Sequence, residues 1–196
     1  MLKTFASALR PSLVMTAGFA LLLGGAYPLA ITAAAQALFP HQANGSLIER
    51  HGQMIGSDLL AQGFAAPGYF HPRPSAANYD ASASAGSNLG PASAVLAARI
   101  AKDAAALRAQ GYPDVPPAMV TTSASGLDPH ISPEAALLQA PRVAQARHMP
   151  VERVEALVRA AVERPLAGVL GENRVNVLRL NLALDAASRP SGQQGA

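Results

Sequence analysis

Apolar positions are spread very unevenly along this chain. From Ser12 to Phe39 the sequence reads SLVMTAGFALLLGGAYPLAITAAAQALF, within 38 consecutive residues (11–48) that carry no formal charge. Helical rise would carry such a run roughly 42 Å, past the roughly 30 Å of a hydrocarbon core. The pattern therefore predicts one transmembrane helix over 12–39. Leu13, Val14, Phe19, Leu21, Leu22, Leu23, Leu29 and Ile31 together favour insertion by roughly 2 to 5 kcal/mol. Pro28 is expected to bend this helix, with a partner helix or Thr32 taking up the freed backbone. A cleaved signal peptide is the competing reading, because Ala33-Ala34-Ala35 stands before Gln36. The apolar run is about twice the 7 to 15 residues of a signal core, which favours retention. Thr16, Ala20, Gly24, Pro28 and Thr32 recur every fourth residue and form a small-residue row suited to close helix packing in a membrane.

Beyond residue 44 the pattern breaks into short elements. GSLIERHGQMIGSDLL (45–60) reads as a β-hairpin with Gly52 in its turn. Residues 64–93 are rich in Pro, Gly, Ser and Asn and read as a long loop, ordered by Phe64, Tyr69, Phe70 and Tyr79 or serving as an interaction surface. Pro91 to Gln110 predicts a helix that stops before Gly111. Ser132-Pro133 opens another through Arg147, which Pro141 is expected to kink or divide. A third helix is expected from Pro150 to about Arg164, with Val151, Val154, Leu157, Val158 and Val162 as its apolar stripe. In RVNVLRLNLALD (174–185), Leu178, Leu180, Leu182 and Leu184 alternate with the period of a strand. The remaining tail, 187–196, is expected to be disordered. The fold class expected is α+β: a cytoplasmic N-terminus (1–11), a membrane helix (12–39) and one mixed α/β extracytoplasmic domain (40–186).

Charge refines this picture. Of 15 Lys+Arg, Lys3 and Arg10 precede the first carboxylate, Glu49, and leave a body of 13 basic and 12 acidic residues. That body lacks the basic patch that nucleic-acid binding requires, and no nucleic-acid partner is expected. By the positive-inside rule the same two cations keep the N-terminus cytoplasmic and send the body outward, into the periplasm of a Gram-negative cell. The absence of Cys removes thiol catalysis and disulfide frameworks.

Catalytic motifs are missing. Neither Lys3 nor Lys102 ends a P-loop, and no Asp begins the Lys-Thr-Gly context of an aspartyl-phosphate pump. His41, His51, His71, His130 and His148 never stand three or four apart as zinc ligands do. No catalytic or metal residues are expected, nor any covalently bound cofactor, and no cofactor-binding residue is assigned. Two segments nevertheless stand out: YFHPRPSAANY (69–79) and SASGLDPHIS (123–132). His71, Asp128 and His130 are candidates for a metal or general-base site, with Ser125 as nucleophile of a membrane-tethered hydrolase. The simpler reading is structural: Asp128-Pro129 starts a turn, Gly126 supplies an unusual backbone angle and the histidines bond nearby carbonyls. Arg73, between two prolines, is a candidate to hold a partner's carboxylate.

At this point the order of segments resembles the C-subunit family of the Kdp potassium-transporting ATPases. The resemblance rests on one N-terminal apolar helix followed by GSLI, GSDLL, YFHPRPSA, GSNLGP, VTTSASGLDPHIS, QAPRVAQAR and RVNVLRLNLALD. It implies an accessory subunit of an ATP-driven inner-membrane potassium importer. The partners implied are a channel-like potassium-translocating subunit, a P-type ATPase subunit and a very small peptide subunit. Such a subunit is needed for assembly and acts as a catalytic chaperone, raising the ATP affinity of the P-type partner, where hydrolysis and ATP belong. With the body outside the cytoplasm, that effect has to cross the membrane as a coupling free energy between sites. His71, Arg73, Ser125, Asp128, His130 and Gln139 are the residues put forward for partner contact.

Overall fold

A computed structural model of the protein describes residues 2–50, 52–112, 114–165 and 168–188. By the density of its contacts the chain divides into two units, Met1–Ile55 and Gly56–Ala196.

In the first unit the apolar run is helical, as its composition predicts. Helix α1 (Leu2–Leu21) and helix α2 (Tyr27–Leu38) are joined by a π turn over Leu22–Ala26. The turn holds Gly24 and Gly25 and lies just ahead of Pro28. In it the Tyr27 N–H reaches back five residues to the Leu22 carbonyl. Upstream π adjustment of this kind is how a membrane helix accommodates a residue that cannot donate. Ser7–Leu38 is long and apolar enough to cross a bilayer, and its apolar window is unburied among the described residues. The helix stops before Pro40, which disfavours the α region for the residue preceding it; Phe39 takes φ −139°. A single helical turn, α3 (Pro40–Ala43), follows, and then the expected hairpin of β1 (Leu47–Arg50) and β2 (Gln53–Ser57). Gly52 takes φ +75° in its turn, while His51 lies outside the described residues.

The second unit is built on a small antiparallel sheet covered by helices. β3 (His130–Ile131), β4 (Val162–Glu163) and β5 (Arg174–Asn176) align in the order β3-β5-β4, with Ile131 and Val162 each opposite Val175. Helices α4 (Ala94–Ala109), α5 (Pro133–Arg147), α6 (Val151–Ala160) and α7 (Val177–Ser188) complete it. The core joins Phe70, Ile131, Val143, Val154, Val158, Val175, Leu180 and Leu184 around Ala135, Ala136, Ala140 and Ala144 of α5. Those small side chains let α6 approach α5 closely. Both sequence-predicted caps hold or shift only slightly. Ser132 accepts from the Ala135 amide, and α4 begins three residues after Pro91, where Ser93 accepts from the Leu96 amide.

Three expectations are corrected. RVNVLRLNLALD is a strand only through Asn176 and then turns helical. Positions 177, 180, 181 and 184 form one buried helical stripe, and the Asn176 side chain accepts the Arg179 amide as an N-cap does. Alternating leucines satisfy both periods, and the cap decides between them. The helix expected up to Arg164 ends at Ala160, because Val162 leaves it to pair with Val175. Pro141 does not divide α5, which runs unbroken across it with the ring on the exposed face. Residues 58–93 contain neither helix nor strand, in keeping with the loop expected over 64–93. Of the tail, Ala187 and Ser188 end α7 and the rest lies outside the described residues.

Candidate functional site

The two unusual segments meet. In 69–79, alternating prolines forbid a regular ladder, and side-chain amides from the helices replace one. Asn181 of α7 accepts the Phe70 N–H at 2.9 Å and donates to the Phe70 carbonyl at 3.0 Å. Gln139 of α5 does the same for His71, at 2.8 and 3.2 Å. Each amide thus imitates a neighbouring strand, and both are buried, at 1% and 2% exposure. Arg142 adds bonds to the Tyr69 carbonyl and to Gln139 Oε1. Arg147 stacks 4.5 Å above the Tyr69 ring and pairs with Asp185 at 2.8 Å.

From that clamped strand the chain reaches the second segment. Ser75 Oγ donates to the Gly126 carbonyl at 2.6 Å and accepts the Ala77 and Tyr79 amides, while the Ser123 amide donates to Pro74 O. Gly126 is required here: its φ is +70°, and a Cβ would stand 2.6 Å from the Ala85 carbonyl. Arg73 reaches Asp128 at 3.3 Å, Thr121 Oγ1 and the Thr122 carbonyl. Asp128 also accepts the His130 amide. The His130 ring lies between two carboxylates, Asp128 at 3.6 Å and Glu163 at 3.8 Å. Glu163 in turn faces Arg174 at 2.9 Å and Arg179 at 3.8 Å, and Arg179 forks onto Asp58. One chain of charges therefore joins both segments to the β4–β5 hairpin and α7.

Beside Arg73 and Asp128 opens a cleft of about 520 Å³, walled by Leu59, Leu60, Leu127 and Ser125. His71 faces a separate cavity of about 240 Å³ with Phe64, Tyr79, Met119 and Ile131. Burial, joined by the charge of Arg142, lowers the His71 imidazole below its ordinary 6.5, against the Ala66 carbonyl that favours the charged form. Partial burial acts to raise the Asp128 carboxyl, but His130 and Arg73 outweigh it and hold the group below its ordinary value. Burial raises the Tyr79 phenol.

Of the residues put forward for partner contact, Arg73, Asp128, His130 and Ser125 gather around the cleft and its charge chain, whereas His71 faces the other cavity and Gln139 is a buried clamp. The arrangement lends no support to a hydrolase. Ser125 Oγ accepts the Leu127 amide, His71 Nε2 lies 3.3 Å from the Ala66 carbonyl, and His130 is flanked by carboxylates. Among the described residues no group of three or more His, Asp or Glu is placed to hold a metal ion. Sequence reasoning missed Asn181, Arg142, Glu163 and the Asp58–Arg179 pair. Asn181 alone left a signal, as an amide interrupting an apolar run.

These features define a class: a chain with, among the described residues, one helix suited to spanning a membrane and a mixed helix-and-strand body whose polar side chains hold loops in place. A family model described as KdpC, the c chain of the K+-transporting ATPase, matches residues 9–186. Proteins named potassium-transporting ATPase KdpC subunit are similar over nearly their whole length. That of Caulobacter vibrioides is 58% identical over 192 residues, covering 96% of this chain and 98% of its own. That of Rhodopseudomonas palustris is 52% identical over 194 residues, covering 91% and 96%, and that of Nitratidesulfovibrio vulgaris 57% over 184, covering 90% and 93%. The chain belongs to the KdpC family, subunits of potassium-transporting ATPases.

Proposed function

We propose that this chain is the accessory, non-hydrolysing subunit of an ATP-driven potassium importer in the bacterial inner membrane. It is needed to assemble the complex and acts as a catalytic chaperone that raises the ATP affinity of the P-type ATPase subunit. Its other partners are the channel-like potassium-translocating subunit and the small peptide subunit. The observation that carries this reading is the family match running from the apolar helix through α7. The lack of a P-loop or aspartyl-phosphate motif supports placing hydrolysis in the partner.

Lys3 and Arg10 favour a cytoplasmic N-terminus and a periplasmic body. ATP then reaches this chain only through the partner, and the effect on its affinity is a coupling free energy that must act in both directions. Thr16, Ala20, Gly24, Pro28 and Thr32 are the face we assign to helix packing, and all five are exposed on the helix. A row spaced by four drifts roughly 40° per step around a regular helix. The π turn admits about one extra residue in its turn and winds the row back between Ala20 and Pro28, which supports a shared side. The cleft at Arg73, Ser125 and Asp128, with His130 behind it, is the surface we assign to partner contact on the body.

Deleting the subunit should abolish potassium-stimulated ATPase activity of the purified complex and reduce copurification of the remaining subunits in mild detergent. Full activity with normal assembly in its absence would reject the reading.

A further inference from the structure

We propose that the tip of the β4–β5 hairpin, Val169 and Leu170, dips into the lipid surface and forms a second, peripheral membrane contact of this chain. The proposal rests on the membrane anchoring just described. Val169 is 79% exposed and Leu170 67%; the most exposed large apolar residue of the membrane helix is Leu21, at 74%. Two apolar side chains as bare as lipid-facing ones therefore stand side by side on the body. Leu59 and Val95, the other strongly exposed large apolar side chains among the described residues of this unit, stand on the Arg73 cleft and on α4. Gly168 (φ +77°) and Gly171 (φ +109°) bracket the tip, and a Cβ built on either meets no atom within 4 Å. The tip thus projects away from the body.

Charge and area favour lipid as the occupant. Exposed Arg164 stands at the foot of one arm, where a cation suits anionic headgroups. Glu163 at that foot is already paired with Arg174 and faces Arg179 and His130, and Glu172 is the one carboxylate in residues 164–173. Two side chains are far short of the roughly 20 to 30 residues a side that hold a free protein partner. A bilayer to which the chain is already tethered is at high effective concentration, so a small apolar tip suffices.

The chain has no Cys, so an environment-sensitive fluorophore can be placed on Asn173→Cys, leaving both apolar side chains intact. The full chain is reconstituted in phosphatidylethanolamine and phosphatidylglycerol vesicles with or without brominated acyl chains. We expect quenching at 173, its loss in the Val169→Asp/Leu170→Asp background, and none at a Lys102→Cys control on α4. Both aspartates fall on exposed positions, so the variant keeps its fold, which circular dichroism checks. Vesicle flotation tests the anchor separately: flotation without quenching overturns the tip contact alone, whereas a chain that does not float removes the anchor and this proposal with it. Quenching equal at 173 and 102 also overturns it. So does crosslinking from 173 to another subunit in the assembled complex with loss of quenching, which assigns the tip to a protein partner.

Discussion

Gln139 and Asn181 show how much one amide can organise. Each satisfies both the donor and the acceptor of a backbone residue in a segment that prolines keep out of any sheet. Replacing either by Ala leaves buried peptide groups unpaired, at about 1 to 3 kcal/mol each. Chemical denaturation of Gln139→Ala and Asn181→Ala should show lower midpoints of that size. Replacement of the exposed Gln145 should leave the midpoint within about 0.5 kcal/mol of the parent. His71 provides a pH test. Because its folded-state pKa lies below the ordinary 6.5, the unfolded chain binds the proton more readily, and stability falls as pH drops below that value. Asp128 has a lowered pKa as well, and its contribution is present above the ordinary carboxylate range and lost at still lower pH. Thermal midpoints measured against pH should therefore decline below about pH 6.5, and His71→Asn should flatten that first decline while leaving the acid limb. An unchanged slope in the variant would show that the imidazole is not its source.

At the scale of elements, α7 is decided by its start and its buried stripe. Asn176→Ala removes the acceptor of the Arg179 amide and the donor to Asp58 O. Loss of the cap alone is worth about 0.5 to 2 kcal/mol. Leu180→Ala, at a fully buried position, should cost about 2 to 5 kcal/mol, read from denaturant midpoints at unchanged slope. The π turn predicts a different outcome in the apolar helix. Pro28→Ala restores a donor, and amide exchange of Leu22–Ala26 in detergent should slow if the turn relaxes to a regular helix. Helix existence was legible in the apolar run and in the segments opened by Pro91, Pro133 and Pro150, but not in α7, whose alternating leucines read as a strand. Boundaries were not, because Val162 suits both a helical stripe and a strand, and only a partner at Val175 selects the strand.

For the whole molecule, the division of labour between an apolar helix and a loop-rich body makes truncation informative. Removing residues 1–39 should release the chain from vesicles in flotation, and retention would require another strong anchor. The apolar helix, the absence of catalytic motifs and the family were all readable from sequence, since each rests on local composition or on ordered short segments. Those properties survive without knowledge of distant neighbours. The meeting of 69–79 with 123–132, the burial of Gln139 and the charge chain from Arg73 to Asp58 were decided by tertiary structure alone. Each depends on which far-off donor or apolar surface arrives opposite a residue, and hydrogen bonds spanning 51 and 121 positions, such as Ser75 to Gly126 and Arg179 to Asp58, leave no periodic trace in the order of amino acids.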